Sequence, residues 1–245
     1  MSTRSSHSEI LGNILKDFRD DSMPVSPPHF VRGAVLEGVN VLLENYIPVD
    51  SGSEISSPTF LVGHGLPSLL SLFVKTRING KGNKWPVTLV SSGMSYCCAS
   101  SLHLPRSSLF ASNQTLKVAV LNLSRDESTE NSEYLRLSEK IAQLLRRKLN
   151  LYTQEAVITP ENLYLYESMG LSILCEGQEV ARISRSGDYI SRRLNIVYNS
   201  ELSDTSTDFV HIVFAEIDVT NIITLMNCAG KVRLYRLPGM PYHPF

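Results

Sequence analysis

The chain has 245 residues, with 23 Lys and Arg against 24 Asp and Glu, a formal net charge of −1. That length accommodates one large or two small domains, and a near-neutral balance excludes a dedicated basic nucleic-acid-binding domain. No apolar run reaches the roughly 18–20 residues a membrane span requires, so no membrane insertion is expected. The four cysteines, Cys97, Cys98, Cys175 and Cys228, form no CxxC pair, which argues against a zinc site or a disulfide framework. Asn113-Gln-Thr115 and Asn122-Leu-Ser124 match a glycosylation sequon by chance.

Taken in chain order, residues 8–20 place Ile10, Leu11, Ile14, Leu15 and Phe18 at helical spacing. Pro24, Pro27 and Pro28 interrupt the chain, and 30–46 reads as a second amphipathic helix with Gly33 and Gly38 suited to a packed helix interface as well as to a core. A loop at 50–58, a helix at 67–77 and a polar loop follow. Strands are expected at 86–92 and 114–122, then the clearest helix at 130–149, ending on Arg146, Arg147 and Lys148. Further strands fall at 171–175, 179–184, 194–198 and 209–217, then a helix at 218–227 and a last strand at 231–237. Strands in runs without βαβ alternation predict an α+β fold with a mainly antiparallel sheet flanked by helices.

The chemistry-bearing motifs are sparse. GHGLPSL at 63–69 and SSGMS at 91–95 offer glycine beside His64 and several serines, but no G-x-S-x-G elbow accompanies them. Neither a Walker A loop nor G-x-G-x-x-G is present. Arg182, Arg185, Arg192 and Arg193, with Asp188 among them, could meet phosphates or form salt bridges. In a strand, Arg192 and Arg193 would face opposite sides.

The segment EVARISRSGDYISRRLNIVY, 179–198, resembles the late sheet strand of seryl-tRNA synthetases, E-[VI]-T-S-x-S-N-C-x-D-[YF]-Q-[SA]-R-R-L. FLVGHGLPSLLSLFV at 60–74 resembles the L-I-G-T-A-E loop and helix of that family. WPVTLVSSGMSYCCAS at 85–100 resembles its motif 2 strand, and QTLKVAVLNL at 114–123 the return strand. The resemblance implies a class II aminoacyl-tRNA synthetase-like core over 30–237, a short segment at 1–29 without the helical tRNA-binding arm, and a tail at 238–245.

It also implies loss of the chemistry. The motif 2 arginine is replaced by Cys97, the acid near it by Ala99, and the return-strand Glu by Ala119. The serine-recognising Thr and Glu become His64 and Leu66, and the motif 3 arginine becomes Asn221. Glu179 remains at a position that helps hold ATP and its metal in the family. Removing one group that stabilises developing charge costs about 10²–10³ in rate, and Cys supplies no guanidinium fork. The resemblance therefore implies a pseudoenzyme with no catalytic residues, no cofactor and no metal.

A known group of this kind, the seryl-tRNA synthetase-like insect mitochondrial proteins, implies a location in the mitochondrial matrix and a role in mitochondrial translation and respiration. The implied partner is mitochondrial seryl-tRNA synthetase, as a heterodimer, or a second copy as a homodimer, through 30–46. Two alternatives are an RNA- or DNA-associated factor using weak contacts along 182–193 and 146–148, and a residual nucleotide- or adenylate-binding enzyme built on Glu179.

Overall fold

A computed structural model describes residues 7–49, 58–63, 65–79, 84–96, 110, 112–199 and 207–234. Its centre is a seven-stranded sheet. The strands that pair into it are β1 (Met23–Pro24), β6 (Val87–Tyr96), β7 (Gln114–Ser124), β8 (Gln154–Val157), β9 (Met169–Cys175), β10 (Gln178–Gly187) and β13 (His211–Asp218), in the spatial order β1-β6-β7-β13-β10-β9-β8. All neighbours pair antiparallel except β1, which runs parallel to β6. Two three-stranded sheets complete the fold. One joins β2 (Phe30–Arg32), β4 (Thr59–Leu61) and β3 (Pro48–Val49). The other joins β12 (Thr207–Phe209), β11 (Val197–Asn199) and β5 (Arg77–Ile78). The predicted α+β class with a mainly antiparallel, helix-flanked sheet is observed.

Strand alternation sends side chains to two cores. Along β7, Val118 and Val120 join the cluster behind the sheet, while Ala119, Leu121 and Leu123 join the one in front. The rear cluster is closed by α1 (His7–Phe18), α4 (Glu127–Gln143) and α6 (Val219–Leu234). Ile10, Ile14 and Phe18 of α1 are buried in it, so the segment before residue 30 is part of the main core. Asp21 bridges to Arg136 at 2.8 Å and Lys140 at 2.7 Å, tying the end of this segment to α4. The front cluster is closed over half of the sheet by α2 (Gly33–Val39), α3 (Gly65–Leu70) and α5 (Tyr189–Leu194). Val31, Leu36, Tyr46, Phe60 and Val62 form a third, smaller core within the β2-β4-β3 layer.

Several local expectations are corrected. The helix expected over 30–46 is instead β2, the short α2, and a 3-10 turn at Leu43–Asn45. Asn40 adopts φ 70° and ends α2, its N–H bonding back to the Glu37 carbonyl at 3.0 Å, a left-handed stop of the kind Asn supports. The apolar positions Val31, Leu36 and Val39 are buried within the chain. A Cβ at Gly38 would lie 2.2 Å from Leu194 Cδ2, so the close approach is intramolecular, between α2 and α5. The helix at 67–77 is shorter, Gly65–Leu70. Residues 231–234 belong to α6 and not to a strand, and 235–237 lie outside the described residues.

The helix expected at 130–149 begins earlier, at Glu127, and closes in a wider π-type turn at Leu144–Lys148. Asp126 caps it, accepting from the Thr129 N–H at 2.8 Å. That bond holds the Asp126 carboxyl below its usual 3.8. Asp126→Ala is expected to cost about 1 kcal/mol in a urea melt at neutral pH. A depressed folded-state pKa means the stabilisation is complete above pH 3.8 and fades as the pH falls through the folded value. The difference between wild type and variant should therefore vanish in acid.

A candidate binding cleft on the open half of the sheet

Where α2, α3 and α5 leave the front of the sheet uncovered, a cavity of about 770 Å³ remains. Its floor is supplied by β7, β13 and β10. The segment carrying Asn40, Asn45 and Tyr46 closes one side, and Leu163–Tyr166 another. The register explains the floor. Glu216 of β13 stands opposite Ala119 of β7 and Arg182 of β10, and Asp218 stands opposite Lys117. A bulge between Glu179 and Ala181 turns Val180 and Ala181 both into the rear core and brings Glu179 to the cleft side with Arg182. Ser172, opposite Arg182 on β9, donates its hydroxyl to Glu179 Oε2.

The charged groups of the floor are mutually engaged. Lys117 Nζ lies 2.7 Å from Glu216 Oε2, and Glu216 Oε1 accepts from the Gly65 backbone N–H at 2.9 Å. Burial alone would depress the Lys117 ammonium, but the Glu216 and Asp218 carboxylates outweigh it and hold its pKa above the ordinary lysine value. Burial pushes the Asp218 carboxyl above its usual 3.8, partly countered by Lys117. Burial likewise pushes the Tyr46 phenol up, with the Glu216 charge adding to the effect. On the far wall, Arg182 makes two bonds to Glu167, at 3.1 and 2.5 Å, and its guanidinium covers the Tyr164 ring at 4.5 Å. Tyr164 stacks on Tyr166 with centroids 5.6 Å apart.

Of the residues singled out in the sequence, Glu179 and Asn221 both line the cleft. Asn221 donates from Nδ2 to the Glu179 carbonyl at 3.0 Å and from its backbone N–H to Asp218 Oδ1 at 2.8 Å. Ala119 lies under Gly65, where a Cβ built on the glycine would come within 2.7 Å of the alanine Cβ. Leu66 is buried in the front core and does not reach the cavity. His64, Cys97 and Ala99 lie outside the described residues.

The arginine group does not form one site. Arg185 reaches Glu127 and Glu130 on α4, Arg192 pairs with Asp188 at 2.6 Å, and Arg193 donates to the Gly38 and Glu37 carbonyls at the end of α2. Arg192 and Arg193 sit in helix α5, not in a strand. Arg146 pairs with Glu155 at 2.7 Å, and Lys148 with Asp17. Arg146, Lys148, Arg182, Arg185 and Arg192, which the nucleic-acid alternative invokes, are thus each paired with a carboxylate of the chain.

Among the described residues, no group of three or more His, Cys, Asp or Glu is placed to hold a metal ion, and no helix is long and apolar enough to cross a membrane. Among the described residues, the lining offers a nucleoside triphosphate no uncommitted cation, since Lys117 and Arg182 are already bonded to carboxylates of the chain. Sequence reasoning missed Lys117, Glu216 and Asp218. The available signal was a charge at alternate positions inside the apolar runs LKVAVLNL and IVFAEID.

No protein-family model matches the chain, and no curated protein matches it. Solved structures do. The seryl-tRNA synthetase from Pyrococcus horikoshii, complexed with ATP, matches with a TM-score of 0.77 and 20% identity over 89% of this chain and 51% of its own. Giardia lamblia prolyl-tRNA synthetase, in complex with prolyl-adenylate, matches with a TM-score of 0.76 and 12% identity over 90% of this chain and 44% of its own. The chain thus spans about half the length of these enzymes. Its large antiparallel sheet and flanking helices have the fold of a class II aminoacyl-tRNA synthetase catalytic core.

Proposed function

We propose that this protein is a non-catalytic relative of seryl-tRNA synthetase that serves as a binding or regulatory subunit in mitochondrial translation and respiration. The reading rests on one observation above all. Among the described residues, the two cations lining the cleft are committed to the internal pairs Lys117–Glu216 and Arg182–Glu167. Adenylate formation needs cations and dipoles aimed at charge developing on the phosphates. A guanidinium or ammonium already bonded to a carboxylate must lose that partner before it can serve a phosphate. Asn221 and Ala119, which stand where the resemblance places an arginine and a glutamate, point the same way.

The proposed partner is mitochondrial seryl-tRNA synthetase or a second copy of the chain. Phe30 and Leu42, 54% and 53% exposed, are the large apolar side chains of 30–46 that remain available for such pairing. Serine-dependent ATP–pyrophosphate exchange tests the catalytic half of the reading. Exchange is expected at the level of the protein-free control, while any exchange above control that Glu179→Gln removes would overturn the reading. Light scattering of a mixture with mitochondrial seryl-tRNA synthetase tests the other half. A one-to-one complex is expected, and two unmixed monomers would refute the partnership.

A further inference from the structure

We propose that the cleft is a receptor for a small organic cation, an amine carried on a planar or apolar body, and that it rejects carboxylates and phosphates. This deepens the preceding reading, since it assumes that the cleft has left nucleotide chemistry. Its volume of about 770 Å³ lies within the roughly 300–1,000 Å³ usual for small-molecule sites. Among the described residues, the charged groups in and immediately behind the lining are Lys117 and Arg182 against Glu167, Glu179, Glu216 and Asp218. Two cations facing four carboxylates leave the described part of the site negative. A triphosphate would bring further negative charge into that field. An ammonium would be drawn to it.

The anion position of the floor is filled from within. Glu216 accepts from Lys117 and from the Gly65 N–H, the donors that would otherwise hold a carboxylate or phosphate of a ligand. Glu179 and Asp218 are placed differently. Each accepts from groups of the chain, Glu179 from Ser172 and Asp218 from the backbone N–H groups of Asn221 and Thr220. An ionised carboxylate offers about four lone-pair directions, so both keep capacity for an ammonium. Asn221 bonds to the backbone of Glu179 and to the side chain of Asp218, which fixes the two acids on one side of the cavity. Tyr46, Tyr164 and Tyr166 supply walls for the body of the ligand.

Isothermal calorimetry on the full chain tests this with three probes: tyramine, 4-hydroxyphenylpropionate and ATP. The first two present the same phenol, with an ammonium on one and a carboxylate on the other. Tyramine is expected to bind at least about tenfold more tightly than the carboxylate or ATP. Asp218→Asn and Glu179→Gln should each weaken it by about tenfold. Glu216→Gln, by releasing Lys117, should improve binding of the carboxylate probe. Equal or tighter binding of the carboxylate or of ATP to the wild-type protein overturns the proposal, as does the absence of tyramine binding at millimolar concentration. Pyrophosphate exchange separates the two failures: tight ATP binding with exchange still at control level overturns the receptor alone, whereas exchange above control overturns the non-catalytic reading as well.

Discussion

Replacing Glu130 by alanine is expected to lower the stability of the fold by about 3–5 kcal/mol, the usual consequence of removing one partner of a buried ion pair. Glu130 is fully buried in the first turn of α4. Its Oε1 accepts from the Gly187 N–H at 2.8 Å. Its Oε2 faces His211 Nδ1 at 3.1 Å and Arg185 at 3.5 Å. The carboxylate thus joins the start of α4 to the end of β10 and the start of β13, where the chain turns into α5. Alanine would leave the Gly187 N–H without its acceptor and the largely buried Arg185 without its enclosed counter-charge. Glu127, 77% exposed, can compensate little. Glu130→Gln keeps an acceptor for Gly187 and should recover part of the loss. Urea denaturation of the three proteins measures this, and a cost below about 1 kcal/mol for alanine would show that the cluster carries no such weight.

Restoring the glutamate that the family resemblance places at Ala119 should destabilise the protein by about 3 kcal/mol or more, from overpacking combined with burial of a second carboxylate. Ala119 is 4% exposed, directly opposite Glu216 in the sheet and beneath the Gly65 backbone. Glutamate adds four heavy atoms, which must either push α3 off β7, breaking the Gly65–Glu216 bond, or crowd into the small pocket of about 80 Å³ shared by Ala119, Gly65, Lys117 and Glu216, beside the Glu216 carboxylate. Thermal denaturation of Ala119→Glu reads the effect. Pyrophosphate exchange by the same variant is expected to remain at control level. A variant as stable as the wild type would mean that α3 yields easily, and the cleft floor would then be softer than its packing indicates.

The central strands were legible because β6, β7, β10 and β13 carry long runs of β-branched and apolar residues bounded by polar loops. Helix α4 was legible from its spacing, although the Asp126 cap that sets its start was overlooked. The stretch 30–46 misled because Val31, Val35, Val39 and Val41 keep helical spacing, while the left-handed turn at Asn40 that ends α2 depends on one residue. Helix α5 went unread in the gap between the strands expected at 179–184 and 194–198, because it is only six residues long and follows directly on a bulge near Gly187, with φ 55°. The cleft was legible only at Glu179, Arg182 and Asn221. Lys117 and Glu216 are 99 positions apart in the chain, and Arg185 and Glu127 are 58 apart. Charge pairing over such separations is decided by sheet order, which one sequence does not display.

The alternation that splits the sheet into a packed rear and a half-open front has a use in protein engineering. Lys117, Arg182 and Glu216 lie on the open side, while Val118, Ala181, Ile183, Ala215 and Ile217, within one or two positions of them on the same strands, lie in the rear core. Recognition and foldedness are therefore written on alternate letters of the same short segments. A combinatorial library confined to the outward letters, with Ala119 held fixed, would vary what the cleft accepts while leaving the rear scaffold's sequence intact.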